Sequence, residues 1–295
     1  MSKLTAPIIV LFGFLLVCHP TTSSAAQSIV LTDDIQMALG QAFMAEEDYY
    51  RAITEYKKLI FLFPDSEHLP GALYQIGLAY YNGKDYESAV KSFARVRQTY
   101  AASYFSSAAL HEGLSYEKLG RHDAAALAYE RSRMFNASHP DAANAHLGIV
   151  LNAAEHDDIA KVRTELNDFQ VNYPEKISVP VTQELFSLID TYEAQPKKSP
   201  GLAGTMSAII PGSGQVYANH YKDGLMAFAV NGLFIAATIA AIDNKNYALA
   251  GIVGGIGVPF YVGNIYGAAN AAQKWNLSLS RKLRNDLSVT LNYHF

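Results

Sequence analysis

Residues Leu73–Phe93 read LYQIGLAYYNGKDYESAVKSF, and the spacing inside this stretch describes a helical hairpin. Ile76-Gly77 is followed by Tyr80, then by the polar break Asn82-Gly83-Lys84-Asp85, then by Ala89 and Phe93. Apolar residues three and four apart on either side of the break describe two amphipathic helices. The break supplies the Asn, Gly and Asp of a tight turn, with Asp85 placed to cap the second helix. Gly77 and Ala89 let the two helices approach closely, and the aromatics fill the space beside them.

The pattern recurs. Leu39-Gly40, Phe43, Ala52 and Tyr56 precede it, closed by Pro64. Gly113, Tyr116, Ala125 and Tyr129 follow it, with Glu112 where the apolar residue stood. A fourth copy runs Leu147-Gly148, Leu151 and Ala160, with Thr164 in place of the second aromatic and Pro174 at its end. Successive glycines stand 35 to 37 residues apart. One helix pair cannot bury its apolar face alone, so stacking must supply the core. The expected fold is an all-α solenoid of about four repeats over residues 32–194, capped by a helix near Val181–Glu193.

These motifs resemble the tetratricopeptide repeat family, whose ideal repeat is about 34 residues long. The inter-repeat turn Phe63-Pro64-Asp65-Ser66, followed by Ala72-Leu73-Tyr74-Gln75-Ile76-Gly77, is similar to the slightly long repeats of a bacterial envelope subgroup. Outer-membrane assembly lipoproteins and the periplasmic Tol-Pal coordinator use such repeats. The resemblance covers Thr32 to Pro174 and implies a groove for a peptide or protein partner rather than a catalytic site. Tyr50, Arg51, Tyr81, Arg95 and Arg97 are the groove candidates; the plainer reading of each is an ordinary solvated helix face.

The N-terminus reads as a signal peptide over residues 1–26. Lys3 is its basic residue, Ile8–Val17 its short apolar run and Ser24-Ala25-Ala26 its small-residue cleavage site. Cys18 is the single cysteine, and its alternative role is lipidation, although Leu15-Leu16-Val17 lacks the small residue expected before it. An uncleaved anchor is the third reading. Export would place the repeats in the periplasm.

Residues 195–200, with two prolines and two lysines, form a linker. Beyond it, residues 201–276 hold two apolar runs, 225–242 and 247–265, separated by Asp243-Asn244-Lys245-Asn246. Each run approaches the length of a bilayer core, and the short turn makes them an antiparallel hairpin. Gly251, Gly255, Pro259, Gly263, Gly267 and Ala271 recur every four residues, and Gly232, Ala236 and Ala240 form a similar stripe. Such stripes suit helix association in lipid, with Asn231 and Asn264 expected to bond across the interface. Lys222, Lys274, Arg281, Lys282 and Arg284 flank the hairpin on the repeat side, a bias that favours cytoplasmic repeats and conflicts with export. Export rests on the more specific signal, with the inner membrane preferred over the outer.

Between linker and hairpin lies Ile210-Pro211-Gly212-Ser213-Gly214-Gln215-Val216-Tyr217. It lacks the Lys-Ser/Thr of a phosphate loop and the third glycine and preceding strand of a dinucleotide fingerprint. With Asn264-Ile265-Tyr266-Gly267-Ala268 it resembles a bacterial two-helix membrane domain bearing the signature Ile-Pro-Gly-x-Gly-Gln-x-Tyr, a resemblance that covers Gly201 to Asn276. That domain implies membrane location and no established chemistry. Pro211, Gly212, Gly214, Gln215 and Tyr217 then mark a hinge where the chain meets a membrane. The tail, residues 277–295, alternates Leu287, Val289, Leu291, Tyr293 and Phe295, the period of a strand.

The 295-residue chain is 50% apolar with a formal net charge of −4, which offers no basic field for nucleic acid. The nine histidines are scattered, no Gly-x-Ser-x-Gly elbow occurs, and neither metal nor cofactor motifs stand out. Two readings follow: a membrane-tethered envelope scaffold that holds a protein partner, and an oligomerising membrane component of a transport or secretion system. Membrane lipid is a partner in both, and the Gly-rich hairpin offers a route to homo-oligomers. Neither reading makes the protein an enzyme.

Overall fold

The computed structural model describes residues 30–291. The signal segment, Cys18, Tyr293 and Phe295 lie outside the described residues. Four antiparallel helix pairs follow one another: α1 (Asp33–Ala45) with α2 (Tyr49–Leu62), α3 (Leu69–Asn82) with α4 (Tyr86–Thr99), α5 (Ala101–Lys118) with α6 (His122–Phe135), and α7 (Pro140–Glu155) with α8 (Ile159–Asn172). Then come α9 (Val179–Glu193), α10 (Pro200–Ile209), the single turn α11 (Ser213–Tyr217), α12 (Tyr221–Asp243) and the 44-residue α13 (Tyr247–Thr290). The arrangement is a solenoid of helix pairs with an apolar hairpin at its C-terminal end.

The pairs close as the spacing predicts. Asp48, Asp85 and Asp158 each accept a bond from the backbone N–H three residues on, which caps α2, α4 and α8. In the first three pairs the aromatic of the second helix packs against the glycine of the first. A Cβ on Gly77 would fall 2.5 Å from the Phe93 ring, one on Gly113 2.5 Å from Tyr129, and one on Gly40 would strike Tyr56. Ala52, Ala89 and Ala125 are fully buried beside these contacts.

The fourth pair departs from the expected register. Ala160 is exposed, and Val162 and Leu166 take the buried positions instead. The first helix of this pair runs two residues further from its glycine to the capping position, Gly148 to Asp158, so the second helix is shifted by two. Gly148 is covered by Tyr129 of the preceding pair, at 2.7 Å from an ideal Cβ.

The tail is helical rather than extended. Leu287 and Val289 belong to α13, and Leu291 follows it in a turn. Leu279, Leu283 and Leu287 are buried in one cluster with Leu147, Val150 and Leu151 of α7, Leu166 and Phe169 of α8, and Leu185 and Ile189 of α9. A stripe repeating every four residues fits a helix, and burial of its leucines at about 1.5–3 kcal/mol each outweighs the weak alternation of the last residues. The cap of the solenoid is therefore two helices, α9 and the remote end of α13.

The hairpin turn falls at Asn244-Lys245, with Lys245 left-handed at φ 58° and Asn246 capping α13. α12 and the first part of α13 are long and apolar enough to cross a membrane, and their windows of highest hydropathy are 11% buried. The seam between them is not the expected glycine stripe. An added Cβ at Gly232, Gly251, Gly255 or Gly263 meets nothing, and Ala236 is exposed, so these residues face away from the partner helix. The seam is formed by Gly257 against Phe234 at 3.0 Å, Gly254 against Thr238 at 3.5 Å, and Phe234 stacked on Phe260. Nor do Asn231 and Asn264 pair. Asn231 Nδ2 donates to the Ala227 carbonyl within its own helix, while Asn264 bonds Ser207, Gly212 and Gln215 in the joint described below.

Candidate functional site

The five groove candidates do not converge. Tyr50 is 89% exposed at the start of α2. Its neighbour Arg51 folds back, its Nε 2.7 Å from Asp48 Oδ2 and its guanidinium over the Phe43 ring. Arg97 Nε donates to the buried Glu112 carboxylate at 3.1 Å, and Arg131 approaches the same group at 3.7 Å. Arg97 is thus part of the stack. Tyr81 is half-buried, edge-on to Tyr86 and to His111. Arg95 alone of the three arginines opens onto a cleft, between α2, α3 and α4.

The first helices of pairs two and three instead gather Tyr74, Tyr104 and His111. Tyr74 Oη lies 3.1 Å from His111 Nδ1, which donates to the Ser107 carbonyl at 2.9 Å. That donation assigns the ring proton to Nδ1. Burial holds His111 below the usual imidazole range and pushes the Tyr74 phenol up, so both stay neutral. The cluster is a packed aromatic joint.

Where α13 meets the repeats, charge is concentrated. Arg284 Nη2 donates to Glu117 Oε2 at 2.8 Å and its Nε lies 3.7 Å from Glu155; Arg281 reaches Glu155 at 3.4 Å. Burial raises the Glu117 pKa, and Arg284 opposes that rise. Of the five cations that flank the hairpin, Lys222, Lys274, Arg281, Lys282 and Arg284, two, Arg281 and Arg284, are engaged with carboxylates at the ends of α5 and α7. The leucine stripe of α13 was the signal in the sequence that could have revealed this docking.

The Pro211–Tyr217 motif is a buried joint and not a hinge. Gly212 takes φ 88°, where a side chain is strained, and a Cβ there would strike the Gly224 carbonyl. A Cβ on Gly214 would strike the Ala203 carbonyl. Gly212 N–H donates to Asn264 Oδ1 at 3.0 Å and Gly214 N–H to Ser207 Oγ at 3.0 Å. Ser207 Oγ donates to Gln215 Oε1 at 2.8 Å, Gln215 Nε2 donates to Asn264 O at 3.0 Å, and Asn264 Nδ2 donates to Ser207 O at 3.0 Å. The N–H groups that a phosphate cradle would present are already bonded inside the protein. Gly267 completes the fit, its ideal Cβ 3.5 Å from Gln215 Nε2. Tyr217 Oη accepts from the Ser199 N–H at 3.1 Å, which ties the linker to the same joint.

Among the described residues no three His, Cys, Asp or Glu side chains are grouped to hold a metal ion. Stacked antiparallel pairs with a glycine–aromatic seam define a helical-repeat protein. A family model for the tetratricopeptide repeat matches residues 71–103, which take in most of α3, all of α4 and the start of α5. No curated protein matches the chain.

Proposed function

We propose that this protein is a scaffold of the bacterial cell envelope, in which the repeats hold a protein or peptide partner and the apolar hairpin tethers them to a membrane. On this reading residues 1–26 direct export, the repeats stand in the periplasm and the hairpin sits in the inner membrane. One observation carries the reading: α13 runs without a break from the apolar hairpin into the buried core of the solenoid. A helix shared by both parts holds the repeats at a fixed attitude to the membrane, which suits positioning of a partner. Crosslinking in native inner and outer membrane fractions, followed by identification of the attached proteins, tests it. A specific protein attached to the repeats in the inner membrane is the expected result; a soluble protein with no attached partner contradicts it.

A second reading, an oligomerising membrane component of a transport or secretion system, draws support from the outward-facing Gly232, Gly251, Gly255 and Gly263. Small residues on the free face of a hairpin allow close approach by another helix in lipid. This reading predicts detergent-stable oligomers.

A further inference from the structure

We propose that the cleft between α2 and α4 binds an acidic peptide segment bearing one large apolar side chain. The cleft has a volume of about 440 Å³ and an apolar floor of Ile60, Leu73 and Ile76. Lys57, Lys91 and Arg95 stand at its rim, and no carboxylate lines it. Among the described residues no carboxylate lies within ion-pair distance of Lys57, Lys91 or Arg95. Lys57 Nζ lies 3.5 Å from the Tyr80 hydroxyl. Among the described residues, the other eight arginines each lie within ion-pair distance of a carboxylate: Arg51, Arg97, Arg121, Arg131, Arg133, Arg163, Arg281 and Arg284. Arg95 is the exception. In a chain of net charge −4, three unneutralised cations around one apolar floor are a local surplus, not a reflection of overall composition.

The chemistry that complements this site is carboxylate on either side of an apolar side chain. The floor takes up the apolar group, and the cations take the flanking charges in salt-sensitive contacts. A peptide is favoured over an anionic lipid headgroup by position. The cleft belongs to the first two pairs, whereas the hairpin joins the solenoid at its far end, through α7 and α9. The inference rests on the scaffold reading and names the class of partner for it.

The test uses the full-length protein in detergent, titrated with a labelled peptide of one phenylalanine flanked on each side by two acidic residues. The same titration is run with its lysine-flanked and its alanine-centred counterparts, and with phosphatidylglycerol vesicles. The acidic phenylalanine peptide is expected to bind best, more weakly as salt rises, and at least tenfold more weakly to Lys91→Ala/Arg95→Ala protein. Thermal unfolding followed by circular dichroism is expected to be unchanged in that variant, since both side chains are exposed. Equal binding by wild type and variant, binding that ignores salt, or a vesicle interaction that needs Lys91 and Arg95 while the peptide does not bind, each overturns the proposal. Crosslinking in native membranes separates it from the scaffold reading. Partners retained equally by the variant contradict the cleft alone, and a wild type without partners contradicts the scaffold.

Discussion

Arg284 Nη2 lies 2.8 Å from Glu117 Oε2, so the last turns of the final helix are bound to a repeat helix 167 positions earlier in the chain. Removing one member leaves the other charge poorly solvated, and breaking such a buried pair costs about 3–5 kcal/mol. Since Arg284 retains some exposure, Arg284→Ala is expected to cost about 2–3 kcal/mol, by the same principle discounted for solvent screening. Replacing both partners, Glu117→Gln with Arg284→Met, is expected to recover part of this loss. Urea unfolding of the detergent-solubilised protein, followed by circular dichroism, measures both.

Leu283 and Leu287 fill the core where α13 meets α7, α8 and α9. Each Leu→Ala change there is expected to destabilise the protein by about 2–4 kcal/mol, whereas Leu277→Ala, half-exposed on the same helix, should stay within about 0.5 kcal/mol. Equal effects at the three positions in the same unfolding experiment would show that the tail is not docked.

Stability is expected to fall in acid partly through Glu165. His146 Nε2 lies 2.9 Å from Glu165 Oε2, and this bond, helped by Arg133, lowers the carboxyl pKa below its ordinary 4.5. A group with a lowered folded-state pKa contributes stability that is present above 4.5 and lost as pH falls through the lower folded value. Glu165→Gln removes the contribution, so its curve of stability against pH should be flatter below 4.5 than that of the wild type. Glu117 acts in the opposite sense. Its pKa is raised, so its destabilising share is relieved as pH falls through the folded value.

Two glycines of α13 separate packing within the hairpin from association between hairpins. Gly257→Leu is expected to break the seam with Phe234 and expose the hairpin to protease. Gly255→Leu meets no neighbour in the monomer and should leave its fold intact. If hairpins associate through the outward stripe, Gly255→Leu alone converts detergent-stable oligomers to monomers in size-exclusion chromatography. Oligomers that survive the change contradict the transport-component reading.

The repeats were legible because their signals are local. A glycine, an alanine and an aromatic at fixed spacing report one helix pair, and the first three copies carry all of them. The fourth departs from its spacing by two residues, since spacing counted from Gly148 cannot reveal that α7 runs on before its turn at Asp158. Val162 and Leu166 hold the places assigned to Ala160 and Thr164. The tail carries two competing periods. Leu287, Val289 and Leu291 alternate, while Leu279, Leu283 and Leu287 repeat every four residues, and only contact with α7 and α9 decides between the periods. The hairpin's glycines marked a face correctly as small, but composition does not say whether such a face looks inward or outward. In Pro211–Tyr217, the glycines' need for close approach was readable; that the approaching groups are Ala203, Gly224 and Asn264 was not, because Asn264 lies about fifty residues away in sequence.

α13 locks the repeats to the hairpin, and a site-directed crosslink in native membranes reads this linkage out. Cysteines replacing Glu155 and Arg281, whose side chains lie 3.4 Å apart, are expected to join within one chain through a short bis-maleimide. A Glu155→Cys/Lys245→Cys control, with its second cysteine at the hairpin turn, should not. Absence of the crosslink at 155–281, or equal crosslinking of the control, would show that α13 is not docked on α7.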